Sequence, residues 1–293
     1  MIDLHIHTTN SDGRLTVNEI LERVKKQNVK AISFCDHNVL GAYKEISKEK
    51  IKNDNIEIIT GIEFDFVFKH KDFHMLGYNF NWQEMDKSPL INKKTPEEII
   101  NIEKKNLRYL KKICKEMKIK IDENLDIKTP NDKASTVLKY NMMEFKENDL
   151  ILDEMLGKDR KKSFARGFVH NPNSPFYIDM TKNLPTAKEV ANLIHSTGGE
   201  VFLAHPFDYK DIDHKKYIED MYDLGILDGI ECIHTRHSLE QIKFIKNFAK
   251  EKNLKISGGS DFHRDEKQKL GYGVEGTVPM TEEYLLKNVY EVL

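Results

Sequence analysis

The first third of the chain alternates short apolar runs with amphipathic stretches. Residues 1–7 (MIDLHIH) alternate with a period of two, which predicts a strand. Thr16 is followed by Glu19 three residues on, a helix-start pattern, and Ile20, Leu21 and Val24 form the apolar stripe behind it. Residues 30–35 (KAISFC) read as a buried strand that ends at Asp36-His37. A lysine-rich helix over roughly 40–52 comes next, then strands near 56–68 and 72–80. This strand–helix order predicts a mainly parallel sheet or barrel with helices outside it.

Residues 85–180 have another texture. Thr95-Pro96-Glu97-Glu98 combines an N-cap, a proline in the first turn and a capping-box glutamate. Ile99, Ile102, Leu107, Leu110, Cys114 and Met117 then approximate one helical face. Lysines are dense, and residues 171–175 (NPNSP) close the stretch like a loop. The expectation is a mostly helical insertion, 85–180, capping a barrel built from 1–84 and 181–293. From Pro185 the α/β rhythm returns, with helices near 186–197, 214–224 and 238–252. Strands over 200–204, 229–233 and 255–257 alternate with them, the last running into residues 258–263 (GGSDFH). No internal repeat stands out.

Composition narrows the class. With 39% hydrophobic and 32% charged residues and a formal net charge of −2, the chain reads as soluble, and nothing in its balance demands a nucleic acid or a membrane. Cys35, Cys114 and Cys232 are too scattered for a disulfide framework or a Cys-x-x-Cys metal site, which favours a reducing compartment. No apolar run approaches the ~20 residues of a spanning helix, and the first residues lack a signal-peptide pattern. The expected location is cytoplasmic.

Polar clusters fall where the expected strands end: His5-x-His7 with Asp12 after it, Asp36-His37, His205-Pro206 and Asp261-x-His263. Glu63 and His74 lie on strands between them. In α/β barrels those strand ends form one face, so distant residues can converge there. Two histidines at i and i+2 on a strand face the same side and can share a cation. Imidazole and carboxylate without thiolate suit zinc, manganese or iron. Two such cations acidify a bridging water and stabilise the attacking and leaving oxygens. No Gly-x-x-x-x-Gly-Lys-[Ser/Thr] loop is present, and no serine or cysteine nucleophile has a comparable setting.

The segments HIHTTNSDG, CDHN, GIEF, FLAHPF and GGSDFH together resemble the polymerase and histidinol phosphatase (PHP) family. They are most similar to its stand-alone phosphoesterases acting on nucleotides and RNA ends. The resemblance implies a distorted (β/α)7 barrel with a helical insertion after the fourth strand, and two or three divalent metal ions (Mn, Zn or Fe). It implies His5, His7, Glu63 and Asp261 around one metal, with Asp12, His37 and His263 around a second. Glu63 would bridge to a third, also held by His74 and His205, and a metal-bound hydroxide would attack phosphorus. Asp36 is expected to orient His37 rather than to bind metal.

His237 and Arg236, past a strand end, are candidates to clamp the substrate's phosphate, with Arg14 and Lys133 as further candidates beside Arg160, Lys161 and Arg166. Most lysines are solvated faces. His70, His170, His195 and His214 read as surface or hydrogen-bonded histidines. Relatives often carry Asp where this chain has Asn38, and Arg near the position of Lys133, whose point charge lacks the arginine fork. The resulting expectation is hydrolysis of a phosphate ester on a nucleotide or short nucleic acid. Histidinol phosphate hydrolysis and a non-catalytic metal-binding regulatory module are the competing readings.

Overall fold

A computed structural model of the 293-residue chain describes residues 1–49, 56–91, 95–130, 132–160, 162–179, 181–264, 269–274 and 276–288. The chain forms two compact units, one from residues 1–92 with 184–293 and the other from 93–183. No helix among the described residues is long and apolar enough to cross a membrane.

The first unit begins β1 (Ile2–Ile6), α1 (Val17–Lys26), β2 (Ala31–Phe34), α2 (Gly41–Glu49), β3 (Glu57–Phe68), β4 (Lys71–Tyr78) and α3 (Trp82–Met85). The second unit holds α4 (Pro96–Glu116), α5 (Ala134–Met142) and α6 (Asp149–Leu156). The first unit then resumes with α7 (Ala187–Ser196), β5 (Glu200–Leu203), α8 (His214–Asp223), β6 (Gly229–Ile233), α9 (Leu239–Lys252) and β7 (Lys255–Gly258). After β7 come the short pair β8 (Tyr272–Gly273) and β9 (Val278–Pro279), and then β10 (Leu285–Asn288).

The main sheet runs β1-β2-β3-β4-β5-β6-β7-β10. Its first three strands are parallel, as are β5, β6 and β7. Ile6 bridges in parallel to Phe262, and the His7 N–H donates to the Phe262 carbonyl at 2.9 Å, so seven strands nearly close a barrel. The sheet is mainly parallel, as the strand–helix order predicts, but β4 runs antiparallel to both neighbours and β10 antiparallel to β7. Lys69 and His70, at φ of 46° and 63°, turn the chain between β3 and β4. Two residues cannot make the crossover that parallel strands need.

Local chemistry explains the element starts. Thr16 with Glu19, Thr95 with Glu98, Thr186 with Glu189 and Ser238 with Gln241 each form a reciprocal capping box. Each cap contributes ~1 kcal/mol to its helix. The helices bury one stripe, Val17, Ile20, Leu21 and Val24 in α1, while Ile102 of α4 stays 40% exposed despite its helical spacing. The barrel core takes Ile2, Leu4, Phe34, Phe64, Tyr78 and Phe202, each contributing roughly 1.5–3 kcal/mol on burial. The second unit has its own core, including Leu110, Leu138, Met142, Phe164 and Phe176.

Barrel closure depends on one glycine. A Cβ at Gly259 would lie 2.0 Å from the Cβ of His5, so the backbone after β7 can approach β1 only without a side chain there.

Candidate metal centre

The strand order brings all nine residues marked in the sequence to one place. β1 carries His5 and releases His7, β2 leads to His37, β5 to His205, and β7 to Asp261 and His263. Glu63 projects from the middle of β3. On β4, His74 lies opposite Asp65, two residues along β3 from Glu63.

Glu63 is fully buried and sits among five imidazoles. Its Oε2 is 3.3 Å from His5 Nε2, 3.2 Å from His7 Nε2 and 3.3 Å from His37 Nε2. Its Oε1 is 3.0 Å from His74 Nδ1 and 2.8 Å from His205 Nε2. Asp261 Oδ1 lies 3.2 Å from His7 Nε2 and 3.6 Å from His5 Nε2. At the exposed edge, Asp12 Oδ2 is 3.1 Å from His263 Nε2 and 4.0 Å from His37 Nε2.

Three donor groups result: His5, His7, Glu63 and Asp261; His7, Asp12, His37 and His263; and His37, Glu63 and His74. Within each group the donor atoms lie within 4.8 Å of one another, close enough to share an ion. His205 is not in the third group, but its Nε2 touches Glu63 Oε1 and lies 3.4 Å from His74 Nδ1.

The electrostatics fit a cation. Burial pushes the Glu63 carboxyl up, but His37, His5 and His74 outweigh it and hold the group well below its ordinary value. Burial likewise opposes ionisation of Asp261, and His234, His7 and His5 overcome it. Burial lowers the His37 pKa, yet Glu63 and Asp65 raise it to about 10. Without an ion, the centre would balance its buried carboxylates with protons on imidazoles. His5 Nε2 and Glu63 Oε2 still have no hydrogen bond although both are buried, an omission that costs ~1–3 kcal/mol for each such group. A divalent ion would satisfy both. Burial pushes the Cys35 and Cys232 thiols up to about 12, so neither offers a thiolate.

Two sequence expectations are corrected. Asp36 does not orient His37. Its carboxylate accepts from the Thr8 N–H and Thr8 hydroxyl, both at 2.8 Å, and from Ser11 Oγ, so it braces the loop after β1. The partner of His37 Nδ1 is Asp65, at 3.1 Å. Asn38 explains itself here: its amide donates to Asp65 Oδ2 at 2.6 Å, its carbonyl accepts from the Asp65 N–H at 3.0 Å, and its φ is 55°. An aspartate could not donate, whereas asparagine tolerates the left-handed conformation.

His237 is no surface phosphate clamp. It is 2% exposed, its Nδ1 donates to the Cys232 carbonyl at 3.0 Å, and burial, then His234, push its pKa down to about 3. It brings no positive charge.

The other candidates are dispersed. Arg236 pairs with Asp208 and lies 3.5 Å from Asp261 Oδ2 with its side chain 44% exposed, which puts it at the rim of the centre. Arg14 is exposed, and its N–H donates to the His263 carbonyl at 2.8 Å. In the second unit Lys133 pairs with Glu103 at 3.7 Å and Arg160 with Asp149 and Asp153. Lys161 and the side chain of Arg166 lie outside the described residues. His195 bonds Asp228 at 2.8 Å and His214 bonds the Tyr209 carbonyl at 2.7 Å, away from the donor groups.

Sequence reasoning missed Asp65, Glu231 and His234. Glu231 is fully buried beside His5, and His234 is fully buried 3.3 Å from Asp261 Oδ2. Glu231 did carry a signal: a carboxylate between Ile230 and Cys232 on an apolar strand needs a partner, as Glu63 does.

Comparison with known proteins agrees with this geometry. A 5'-3' exoribonuclease from Haemophilus influenzae is 28% identical over 266 residues, 89% of each chain. A phosphoribosyl 1,2-cyclic phosphate 1,2-diphosphodiesterase from Eggerthella lenta is 23% identical, over 89% of this chain and 93% of its own. A solved structure from Bifidobacterium adolescentis, assigned to the metal-dependent phosphoesterases, aligns with a TM-score of 0.62 at 22% identity, over 96% of this chain and 93% of that one. The profile of the PHP domain matches residues 3–234. With that match spanning most of its length, the chain belongs to the PHP domain family.

Proposed function

We propose that the chain is a metal-dependent phosphoesterase that hydrolyses a phosphate ester of a nucleotide or short nucleic acid. The observation that carries this reading is Glu63: one buried carboxylate, with one oxygen that makes no hydrogen bond, within 3.3 Å of five imidazole nitrogens. Relatives named for RNA and cyclic-phosphate cleavage support the substrate class.

His5, His7, Glu63 and Asp261 would hold one ion, and Asp12, His37 and His263, with His7 beside them, a second. Glu63, His74 and His205 would hold a third. Manganese, zinc and iron all suit these donors. Bound divalent ions supply acidification of water and charge neutralisation at phosphate oxygens. The chain's own residues supply the rest. Asp65 holds the His37 ring, His263 is fixed through its Nδ1 donating to the Asp261 carbonyl at 2.8 Å, and the exposed edge at Asp12 leaves a route for substrate. Arg236 at the rim is, among the described residues, a cation placed to meet a phosphate oxygen. Three free, buried cysteines fit a reducing, cytoplasmic setting.

Metal binding should release protons. His37, raised to about 10, and His5, raised well above its usual value by Glu231 and Glu63 against the effect of burial, are protonated near neutrality without metal. Ligation requires their lone pairs. Titrating Mn2+ calorimetrically at pH 7.5 should therefore give heats that differ between Tris and HEPES, corresponding to about one or more protons released. Affinity should climb with pH through the neutral range. Equal heats in the two buffers would contradict the proposed ligands.

A substrate panel tests the activity. With Mn2+ present, nucleoside bisphosphates or short 5'-phosphorylated RNAs should be turned over. Turnover of histidinol phosphate alone would overturn the substrate class, and inactivity on every ester by metal-loaded protein would favour a binding role.

A further inference from the structure

Strand β6 delivers two buried side chains to the centre, Glu231 within it and His234 just past its end, and neither belongs to a donor group. Both oxygens of Glu231 are engaged. Oε1 is 2.9 Å from His5 Nδ1, and Oε2 accepts from the His205 backbone N–H at 2.7 Å. A carboxylate only accepts, so His5 Nδ1 keeps its proton, and the opposite nitrogen, Nε2, is the one that would give up its proton and offer a lone pair to a cation. That nitrogen faces Glu63 Oε2 and Asp261 Oδ1 at 3.3 and 3.6 Å. The second contact braces a strained turn: His205 has a φ of 23°, and its backbone conformation aims Nε2 at Glu63.

His234 works on the other acidic ligand. The Arg236 backbone N–H donates to His234 Nδ1 at 3.2 Å, so Nε2 is the ring nitrogen left to donate. It donates to Asp261 Oδ2 at 3.3 Å. With Oδ2 engaged, Asp261 turns Oδ1 towards His5 and His7. Like His205, Asp261 adopts a left-handed backbone, at φ 54°, so its aim depends on such support.

We propose that Glu231 and His234 are positioning residues that set which atoms of His5, His205 and Asp261 are offered to a divalent cation. This rests on the reading of the centre as cation-binding. Glu231 accepts from His5 Nδ1, which keeps the proton on that side of the ring, and pins the His205 turn, while His234 occupies the oxygen of Asp261 turned away from His5 and His7. Neither residue would itself hold the ion, since neither belongs to a donor group.

The experiment titrates Mn2+ into full-length protein, reading free ion by electron paramagnetic resonance, for wild type, Glu231→Gln, His234→Gln and His234→Asn. Glutamine at 231 keeps one acceptor oxygen but turns an N–H towards either His5 Nδ1 or the His205 N–H, so one contact fails. Glutamine at 234 keeps a donor near the Nε2 position, and asparagine removes it. Glu231→Gln and His234→Asn should weaken Mn2+ binding by about 10–100-fold, and His234→Gln should restore most of the loss. Circular dichroism melts check that folding is not the cause. Wild-type affinity in Glu231→Gln and His234→Asn, or His234→Gln binding no better than His234→Asn, would overturn the proposal while cation binding stands. Failure of wild type itself to bind Mn2+ would overturn both. The two His234 variants differ only in where one amide sits and decide the His234 half; should Glu231→Gln fail to fold, Glu231→Asp, too short to keep both contacts, takes its place with the same expected loss and the same overturning result.

Discussion

Replacing Glu63 with glutamine is expected to abolish phosphoesterase turnover, by about a thousandfold or more, while the barrel still folds. Tenfold in rate corresponds to about 1.36 kcal/mol, so the loss asks for ~4 kcal/mol of transition-state stabilisation, a magnitude within reach of a single electrostatic group. Glu63 is the residue to choose because both of its oxygens serve the centre, Oε2 towards His5, His7 and His37 and Oε1 towards His74 and His205. Glutamine matches its shape but removes the charge and turns an N–H towards imidazoles that must present lone pairs. The fold tolerates the change because those imidazoles can give up their protons once the carboxylate is gone. Turnover on the substrate panel, with metal content and far-ultraviolet circular dichroism on the same sample, checks the prediction. Activity within tenfold of wild type would refute the central role of Glu63.

Removing the metal is expected to cost stability as well as activity. An ion that binds only the folded state stabilises it by ~2.7 kcal/mol per site at a hundred times its Kd. For a barrel of this size that shifts the melting midpoint by about 5–10 °C. The gain arises because the ion replaces an arrangement in which His5 Nε2 and Glu63 Oε2 are buried without hydrogen bonds. Melting curves in chelator and in excess Mn2+ should separate by that margin, and the separation should vanish in Glu63→Gln. Superimposable wild-type curves would mean that the centre holds no structural ion.

The nine donors could be found in the sequence because their strands announce themselves. Alternation in β1 and the apolar runs before Asp36, His205 and Asp261 put polar residues at strand ends, and barrel geometry gathers such ends. The brackets around the donors were harder to see. Asp36 adjoins His37 in the chain, yet consecutive residues beyond a strand end point different ways, and Asp65, 28 positions on, takes the ring instead. The reversal of β4 was hidden because the turn uses Lys69 and His70, neither of which advertises a tight hairpin as glycine or asparagine would. His234 carried no sequence signal, since its role is fixed by the Arg236 backbone N–H.

The first unit is assembled from two separated stretches, residues 1–92 and 184–293, and its seam joins Ile6 to Phe262. During synthesis, His5 and His7 leave the ribosome more than 250 residues ahead of Phe262, in the segment that shuts the barrel. Until then the early half of the cluster, rich in imidazole and carboxylate, has no enclosure and competes for cations only as an open peptide would. Selective loading with an ion would consequently await the strands that close this seam.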